Sequence, residues 1–316
     1  MKRIIWRLVI LSLIILSFYG LGRLYYRLTG GFTVSNITSD FPFQPQWEVR
    51  PLLSSEQAEL MKALDQPYYY LGKGCQSYVF TSLDGQNVIK FFKYQRYRLQ
   101  PWLAYFPPLP AIVKYREEKM KKKWKKLDGF VQSWKIAFEN LKEETGLAFV
   151  HLNKTNHLQH DLTLYDKMGI KHVVSLDQME FCVQRRARML CETLLDYKAQ
   201  GHLAEAQQLI HQLLNMILSE YSRGLADNDH ALMQNTGVAQ GKPMHIDVGQ
   251  FVFHEEIKNP AIFHQELFTK TYKFKLWLRD HYPELGEYLE QELRQIIGPA
   301  YSTMQPKWRP KSRHIL

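Results

Sequence analysis

The sequence predicts an α+β protein in two parts, a small β-rich one followed by a helical one, behind a single N-terminal transmembrane helix. Three observations carry this. Short aromatic and β-branched runs, broken by glycines, crowd the stretch after residue 65. From residue 185 onward apolar residues recur at helical spacing. The first 29 residues hold an apolar run of spanning character. The boundaries that follow are 1–29 for the anchor and its flanks, 30–64 for a linker and short helix, 65–184 for the β-rich part and 185–316 for the helical part.

The anchor begins with Lys2, Arg3 and Arg7, then runs from Leu8 to Gly22 without a charge. Those fifteen residues are short for a span. Residues 4–26 suffice if Arg7 and Arg23 snorkel to the interfaces. The rival is a cleaved signal peptide, but no small-x-small site follows, so an uncleaved single-pass anchor is expected. Lys2, Arg3, Arg7 and the terminal amine slightly outweigh Arg23 and Arg27, which favours an inside N-terminus and an outside domain. The difference is small, and the flanks leave the side of the membrane open.

Residues 30–60 mix Gly, Pro and Ser with isolated aromatics, as linkers do. Ser54 and Ser55 stand as an N-cap for the helix EQAELMKAL. Pro67–Leu71, Tyr78–Leu83 and Asn87–Phe92 follow as three antiparallel strands, with Asp84-Gly85 at the second turn. Residues 114–145 form a long helical region with a break expected near Asp128-Gly129. Leu147–Leu152, His172–Leu176 and Glu180–Gln184 are further strands. Helices then extend from Arg185, with a break at Gly201 and an end at Gly224. Two more cover about Phe263–His281 and Leu285–Ile297, and a basic tail from Trp308 to Leu316 is expected to fray.

Composition narrows the function classes. The 316 residues carry a net charge of +10, which suits contact with anions such as phosphates or lipid headgroups. Much of the excess is one run, Lys119–Lys126, which reads as a solvated helix face or as a contact for headgroups beside the anchor. No nucleic-acid reader motif accompanies the charge, so no nucleic-acid partner is expected. Cys75, Cys182 and Cys191 are too few and scattered for a disulfide framework or a zinc site. His151, His157, His160 and His230 have no metal-binding spacing.

The chemistry-bearing residues fall into two sets. The loop Leu71–Phe80 (LGKGCQSYVF) lies between two strands, and its glycines let backbone amides approach a polyphosphate and permit a tight hairpin. Lys90 lies eleven residues past Val79 among Val88, Ile89, Phe91 and Phe92. An ammonium in such a strand needs an anionic partner, a carboxylate or phosphates. Glu139, Glu143 and Glu144 are the candidate carboxylates, and Glu144 lies nearest the apolar face of its helix. The second set is Asp227, Asp229, Asn235 and the Asp-x-Gly at Asp247. Phosphoryl transfer from ATP uses such groups in that order: a carboxylate for the attacking hydroxyl, an Asn oxygen on a metal, and a second carboxylate on the metal. An acidic turn capping a helix is the plainer reading of Asp227 and Asp229. His245 reads as a satisfied strand histidine.

Taken in order, these residues resemble the protein-kinase-like superfamily, nearer its divergent bacterial or aminoglycoside-phosphotransferase-like branches. The likeness covers about residues 65–255. Gly72, Gly74 and Val79 match G-x-G-x-x-G-x-V, with Ser77 at the third glycine; Lys90 matches the V-A-I-K lysine, and Asp247 the Asp-Phe-Gly aspartate. The resemblance implies a two-lobed protein-kinase-like fold, β-rich N-lobe first and helical C-lobe second. It implies ATP under the glycine loop, Lys90 paired with Glu144, Mg²⁺ on Asn235 and Asp247, and Asp229 or Asp227 as base. Departures are equally plain. Asp229 precedes Asn235 by six residues and Asp227 by eight, where the family has five, and the His-Arg-Asp triplet is absent. No Ala-Pro-Glu follows Gly249, so a small molecule, lipid or sugar hydroxyl is a better acceptor than a protein. ATP chemistry implies a cytoplasmic domain, against the slight charge bias. An inactive pseudokinase serving as a binding scaffold, and an outward-facing envelope protein without ATP chemistry, are the competing readings.

Overall fold

The computed structural model describes residues 2–308; the basic tail beyond residue 308 lies outside the described residues. The chain divides into two compact units, Met1–Trp124 with Ala148–Gln184, and Lys125–Leu147 with the chain from Arg185 onward.

In the first unit, α1 (Lys2–Thr29) contains no acid and exposes its side chains up to Leu28. At 28 residues it is about 42 Å long at 1.5 Å per residue, enough to cross a hydrocarbon core of about 30 Å. The segment expected to be a linker is packed rather than free. It holds α2 (Val34–Ile37) and α3 (Ser54–Leu64), and its aromatics Phe32 and Trp47 are buried anchors, with Ile37 between them in sequence buried as well. The cap of α3 also differs from expectation. Ser54 is its first helical residue, and Glu56 accepts a hydrogen bond from the Leu53 N–H at 2.9 Å.

The first unit is built on β1 (Tyr68–Lys73), β2 (Ser77–Ser82), β3 (Asn87–Phe92), β4 (Leu147–His151), β5 (Asp161–Tyr165), β6 (Lys171–Ser175) and β7 (Phe181–Arg185). They form one sheet in the order β4-β7-β3-β2-β1-β5-β6. Asp84-Gly85 makes the expected turn between β2 and β3, with Gly85 at φ 70°. The alternating run Asp161–Tyr165, absent from the expected strands, pairs in parallel with β1 and in antiparallel with β6. Between β3 and β4, α4 (Pro110–Asn140) runs unbroken through Asp128-Gly129, because a mid-helix Gly costs only about 1 kcal/mol. A cavity of about 550 Å³ in this unit, lined by Trp47, Leu60, Phe149 and His151 among others, holds none of the candidate residues.

Glu180, just before β7, is buried and accepts a hydrogen bond from Ser39 Oγ at 2.5 Å. Burial raises its pKa from 4.5 to about 7, against the Ser39 hydrogen bond and the Lys154 charge. A folded-state pKa above the unfolded one favours the fold while the group stays protonated. That contribution is complete below about pH 4.5 and is lost as pH rises through about 7. Thermal melts of wild type and Glu180→Gln across this range are expected to show wild type losing ground to the variant as pH rises; parallel curves would refute the assignment.

The second unit takes α5 (Lys142–Thr145), β8 (Arg188–Met189), α6 (Leu190–Gln200), α7 (Leu203–Ser222), β9 (Leu225–Asp227), α8 (Leu232–Asn235), β10 (Thr236–Ala239), β11 (Lys242–His245), β12 (Phe251–Phe253), α9 (Pro260–His281) and α10 (Pro283–Ile297). Helical spacing puts Leu209, Leu213 and Ile217 of α7 on one face, where they share a core with Leu285, Leu289 and Leu293 of α10. Each such side chain contributes about 1.5–3 kcal/mol of burial. Gly201 ends α6 in the left-handed region at φ 73°, as its position in the sequence implies. Pro260 starts α9 behind Asn259, whose side chain accepts from the Ala261 N–H at 3.0 Å. The short strands carry the candidate residues of this unit.

Candidate functional site

In the first unit the sheet gathers the glycine-loop residues into a row. Gly72 pairs with Val79 across β1–β2, and Val79 pairs with Lys90 across β2–β3. Directly paired residues share a face, so Val79 and Lys90 project together beside the Gly72 backbone. Lys90 is buried in β3, the strand of the expected lysine. The two glycines are not there for the turn, which corrects one expectation. Neither has a positive φ. An added Cβ meets nothing within 4 Å at Gly72 and only Ser77 Oγ, at 4.0 Å, at Gly74. The space beside both glycines is open.

Two cations that sequence reasoning passed over hold this loop by its carbonyls. Lys93 Nζ donates to Gly74 O at 2.6 Å, and Arg96 donates to Cys75 O. Gly74 N–H closes the turn onto Ser77 O at 3.0 Å. Burial, with the charges of Lys73 and Arg96, pushes the Lys93 pKa down to about 8. The only signal in the sequence is the spacing of Lys93 three residues after Lys90.

In the second unit two antiparallel ladders bring the other candidates together. Phe251 pairs with Asp227 between β12 and β9, and the Asn228 N–H continues the ladder to Gln250 O at 3.2 Å. Thr236 pairs with His245 between β10 and β11, and the Ile246 N–H donates to Asn235 O at 2.8 Å. Asp247 follows Ile246 and precedes Gln250, so Asp229, Asn235 and Asp247 lie where the two ladders end. The six-residue interval from Asp229 to Asn235 is taken up by α8. The Asn235 N–H bonds to Ala231 O at 2.9 Å, a single helical turn that shortens the loop.

The two acids differ in environment. Asp227 is buried against Lys270 Nζ at 2.9 Å, and its other oxygen accepts from the Asp229 N–H at 3.0 Å. Burial works to lower the Lys270 pKa, but the Asp227 charge, backed by Glu220 and Glu266, raises it above its ordinary value. Asp229 is half-buried. Its carboxylate accepts from the Ala231 N–H at 2.9 Å and from Gln250 Nε2 at 3.4 Å. It thus orders α8 as a capping acid does while keeping a partly exposed carboxylate.

Asp247 is half-buried and accepts from the Gly249 N–H at 3.2 Å. Val248 behind it is fully buried, and its carbonyl accepts from Ser133 Oγ on α4. Ser133→Ala is expected to cost about 1–3 kcal/mol in a denaturant melt, because the Val248 carbonyl loses a buried donor; an unchanged melt would discount that bond. His245 is a satisfied strand histidine, with Nε2 at 2.6 Å from Glu220 and both side chains 1 % exposed. Glu144, expected on the long helix and against Lys90, stands on the separate short helix α5, and its carboxylate is taken by Arg223. The chain leaves α4 after Asn140, so the wheel that put Glu144 on the apolar face does not apply.

Among the described residues no group of three or more His, Cys, Asp or Glu side chains could hold a metal ion. The pair Asn235 and Asp247 offers hard oxygens, which fit Mg²⁺. That ion is commonly held by one or two carboxylates and completed by phosphate oxygens and water.

No protein-family model matches the sequence, and no curated protein matches it. Solved structures do. A 2.2 Å crystal structure of WbdD is similar at 15 % identity and a TM-score of 0.38, over 77 % of this chain and 48 % of that one. A second structure, of the bifunctional kinase-methyltransferase WbdD, is similar at 14 % and 0.33, over 73 % and 45 %. ADP-bound aminoglycoside phosphotransferase APH(2'')-Ib is similar at 13 % and 0.23, over 80 % and 93 %. The chain spans about half the length of the two WbdD chains. With identities this low, the reading of the site rests on its own residues.

Proposed function

We propose that this chain is a membrane-anchored, protein-kinase-like phosphotransferase that moves a phosphoryl group from ATP to a hydroxyl of a small molecule, lipid or sugar. The observation that carries the reading is the Gly72–Val79–Lys90 row, a glycine backbone with open space beside it next to a buried lysine. In this reading the amides of residues 72–77 approach the phosphates, and Lys90 neutralises their charge. Asn235 and Asp247 hold Mg²⁺. Bound there, the ion would supply positive charge against the phosphates. Asp229 orients the acceptor hydroxyl and takes its proton as the oxygen attacks phosphorus and the bond to ADP breaks. Asp227 is the weaker candidate, since its carboxylate is committed to Lys270. The domain lies on the cytoplasmic side in this reading, where ATP is.

The direct test is thermal stabilisation of the detergent-solubilised full chain by ATP with Mg²⁺, compared with ATP and EDTA. A magnesium-dependent shift is expected. No shift at millimolar nucleotide would sink the reading, because a ligand that binds the native state must stabilise it. A shift without turnover on any acceptor would instead select the scaffold alternative. A C-terminal reporter found outside the cytoplasm would remove ATP chemistry altogether. Once an acceptor is in hand, Asp229→Asn is expected to lower kcat by about 10²–10⁴-fold with little change in KM for ATP. Equal activity in that variant would move the base elsewhere.

A further inference from the structure

The end of α1 is fastened to one particular end of the first unit's sheet. Lys73 Nζ, at the glycine-loop end of β1, donates to Gly30 O at 2.5 Å and lies 3.7 Å from the centre of the Tyr26 ring. The Tyr78 hydroxyl, at the start of β2, donates to Gly31 O. Lys167 Nζ, in the turn between β5 and β6, donates to Arg27 O at 2.9 Å. Gly30 and Gly31 have positive φ and no room for a Cβ against Tyr70 and Tyr26. The joint is therefore fixed by both backbone and side chains.

Strand direction places these contacts together. β1 and β5 are parallel, Tyr68 beside Leu164 and Tyr69 beside Tyr165, so both reach their C-terminal ends on the same side. The glycine loop follows one, and the turn Asp166–Ile170 follows the other. That turn is tightly built: Asp166 Oδ1 accepts from the N–H groups of Met168 and Ile170 at 2.8 and 3.0 Å. Its apolar side chains nonetheless point out, with Met168 and Ile170 each 51 % exposed. Arg27, which Lys167 contacts, is exposed, as are Lys167 and Lys171 on either side of the two apolar residues. The one acid of the turn, Asp166, faces inward to His172 Nε2 at 2.9 Å.

We propose that the β5–β6 turn is a second, shallow membrane contact. Met168 and Ile170 enter the headgroup region of an anionic bilayer, the surrounding cations bind its phosphates, and the glycine-loop end of the sheet faces the lipid. The inference rests on the proposed reading of α1 as a span. Apolar tips flanked by cations are the recurrent device of interfacial contacts, and the joint to Arg27 holds this tip at the boundary of the apolar run. For the proposed reaction it favours an acceptor carried by the membrane over one free in solution.

The test uses the full chain in vesicles of phosphatidylcholine and phosphatidylglycerol, in a Cys75→Ser background. An environment-sensitive fluorophore is placed in turn at Met168→Cys, Ile170→Cys, Leu83→Cys and Ile14→Cys. Leu83 is exposed in the turn at the opposite end of the sheet. Labels at 168 and 170 are expected to shift to the blue, to be quenched by a nitroxide near the lipid headgroup, and to be several-fold less quenched by aqueous iodide than the label at 83. Iodide quenching at 168 and 170 equal to that at 83, with the label at 14 quenched by a nitroxide deep in the acyl chains, overturns the contact alone. A label at 14 that no lipid nitroxide quenches overturns the span and the contact with it.

Discussion

Asp247→Ala is expected to reduce magnesium-dependent ATP turnover by about 10²–10³-fold, the usual size of losing one fixed electrostatic contact to a reacting group. The residue stands where the hairpin of β10 and β11 delivers it, next to Asn235 through the bond from Ile246 N–H to Asn235 O. Val248 and His245 on either side keep their own partners, Ser133 and Glu220. Asp247→Asn separates charge from shape. It retains a side-chain oxygen for the Gly249 N–H but gives the metal a neutral ligand, so activity lost in both variants points to charge. The measurement is a steady-state ATP assay with circular dichroism as the control for folding. Turnover preserved in Asp247→Ala would remove this residue from the mechanism.

Lys270→Met is expected to destabilise the second unit by about 3–5 kcal/mol, because it strands the Asp227 carboxylate in a buried site. Asp227 and Lys270 side chains are 3 % and 2 % exposed. The raised lysine pKa means that the lysine's contribution is complete at neutral pH and is lost as pH climbs through the folded value. Adding Asp227→Leu to Lys270→Met removes the stranded charge and is expected to recover most of the loss. Urea melts of the three variants check this. A single variant as stable as wild type, or a double no better than the single, would show that the ion pair does not hold β9 to α9. The same pair explains why the loop after β9 starts from a fixed point. Asp227 accepts from the Asp229 N–H, so the candidate base is positioned by an acid that cannot itself be spared.

The glycine-loop row was legible in the sequence because hairpins act at short range. Alternating aromatic and β-branched residues, with Asp84-Gly85 at one turn, fix which residues of β1, β2 and β3 stand opposite one another. Val79 and Lys90 follow from that register, but Gly72 does not: the expected strand ended at Leu71, and the β1–β2 register shifts between Tyr70 and Gly72. Asn235 and Asp247 were named from residue type and spacing alone; the β10–β11 hairpin that joins them was not among the expected strands. The role of Glu144 was not legible. A wheel drawn through a helix assumes the helix continues, and the chain leaves it at Leu141.

By itself the sequence determined the α+β division and the apolar N-terminal helix. These depend on period, turn chemistry and hydrophobic length, all of which are local. Only the tertiary structure showed that Asp227 is committed to Lys270, forty-three residues away. It alone showed that the supposed linker is packed, that Lys93 and Arg96 grip the glycine loop, and that the apolar N-terminal helix is bound to one end of the sheet. Each of these is a choice of partner between segments distant in the chain. A buried lysine and a solvated one, or a buried aromatic and a loop aromatic, look alike until packing selects between them.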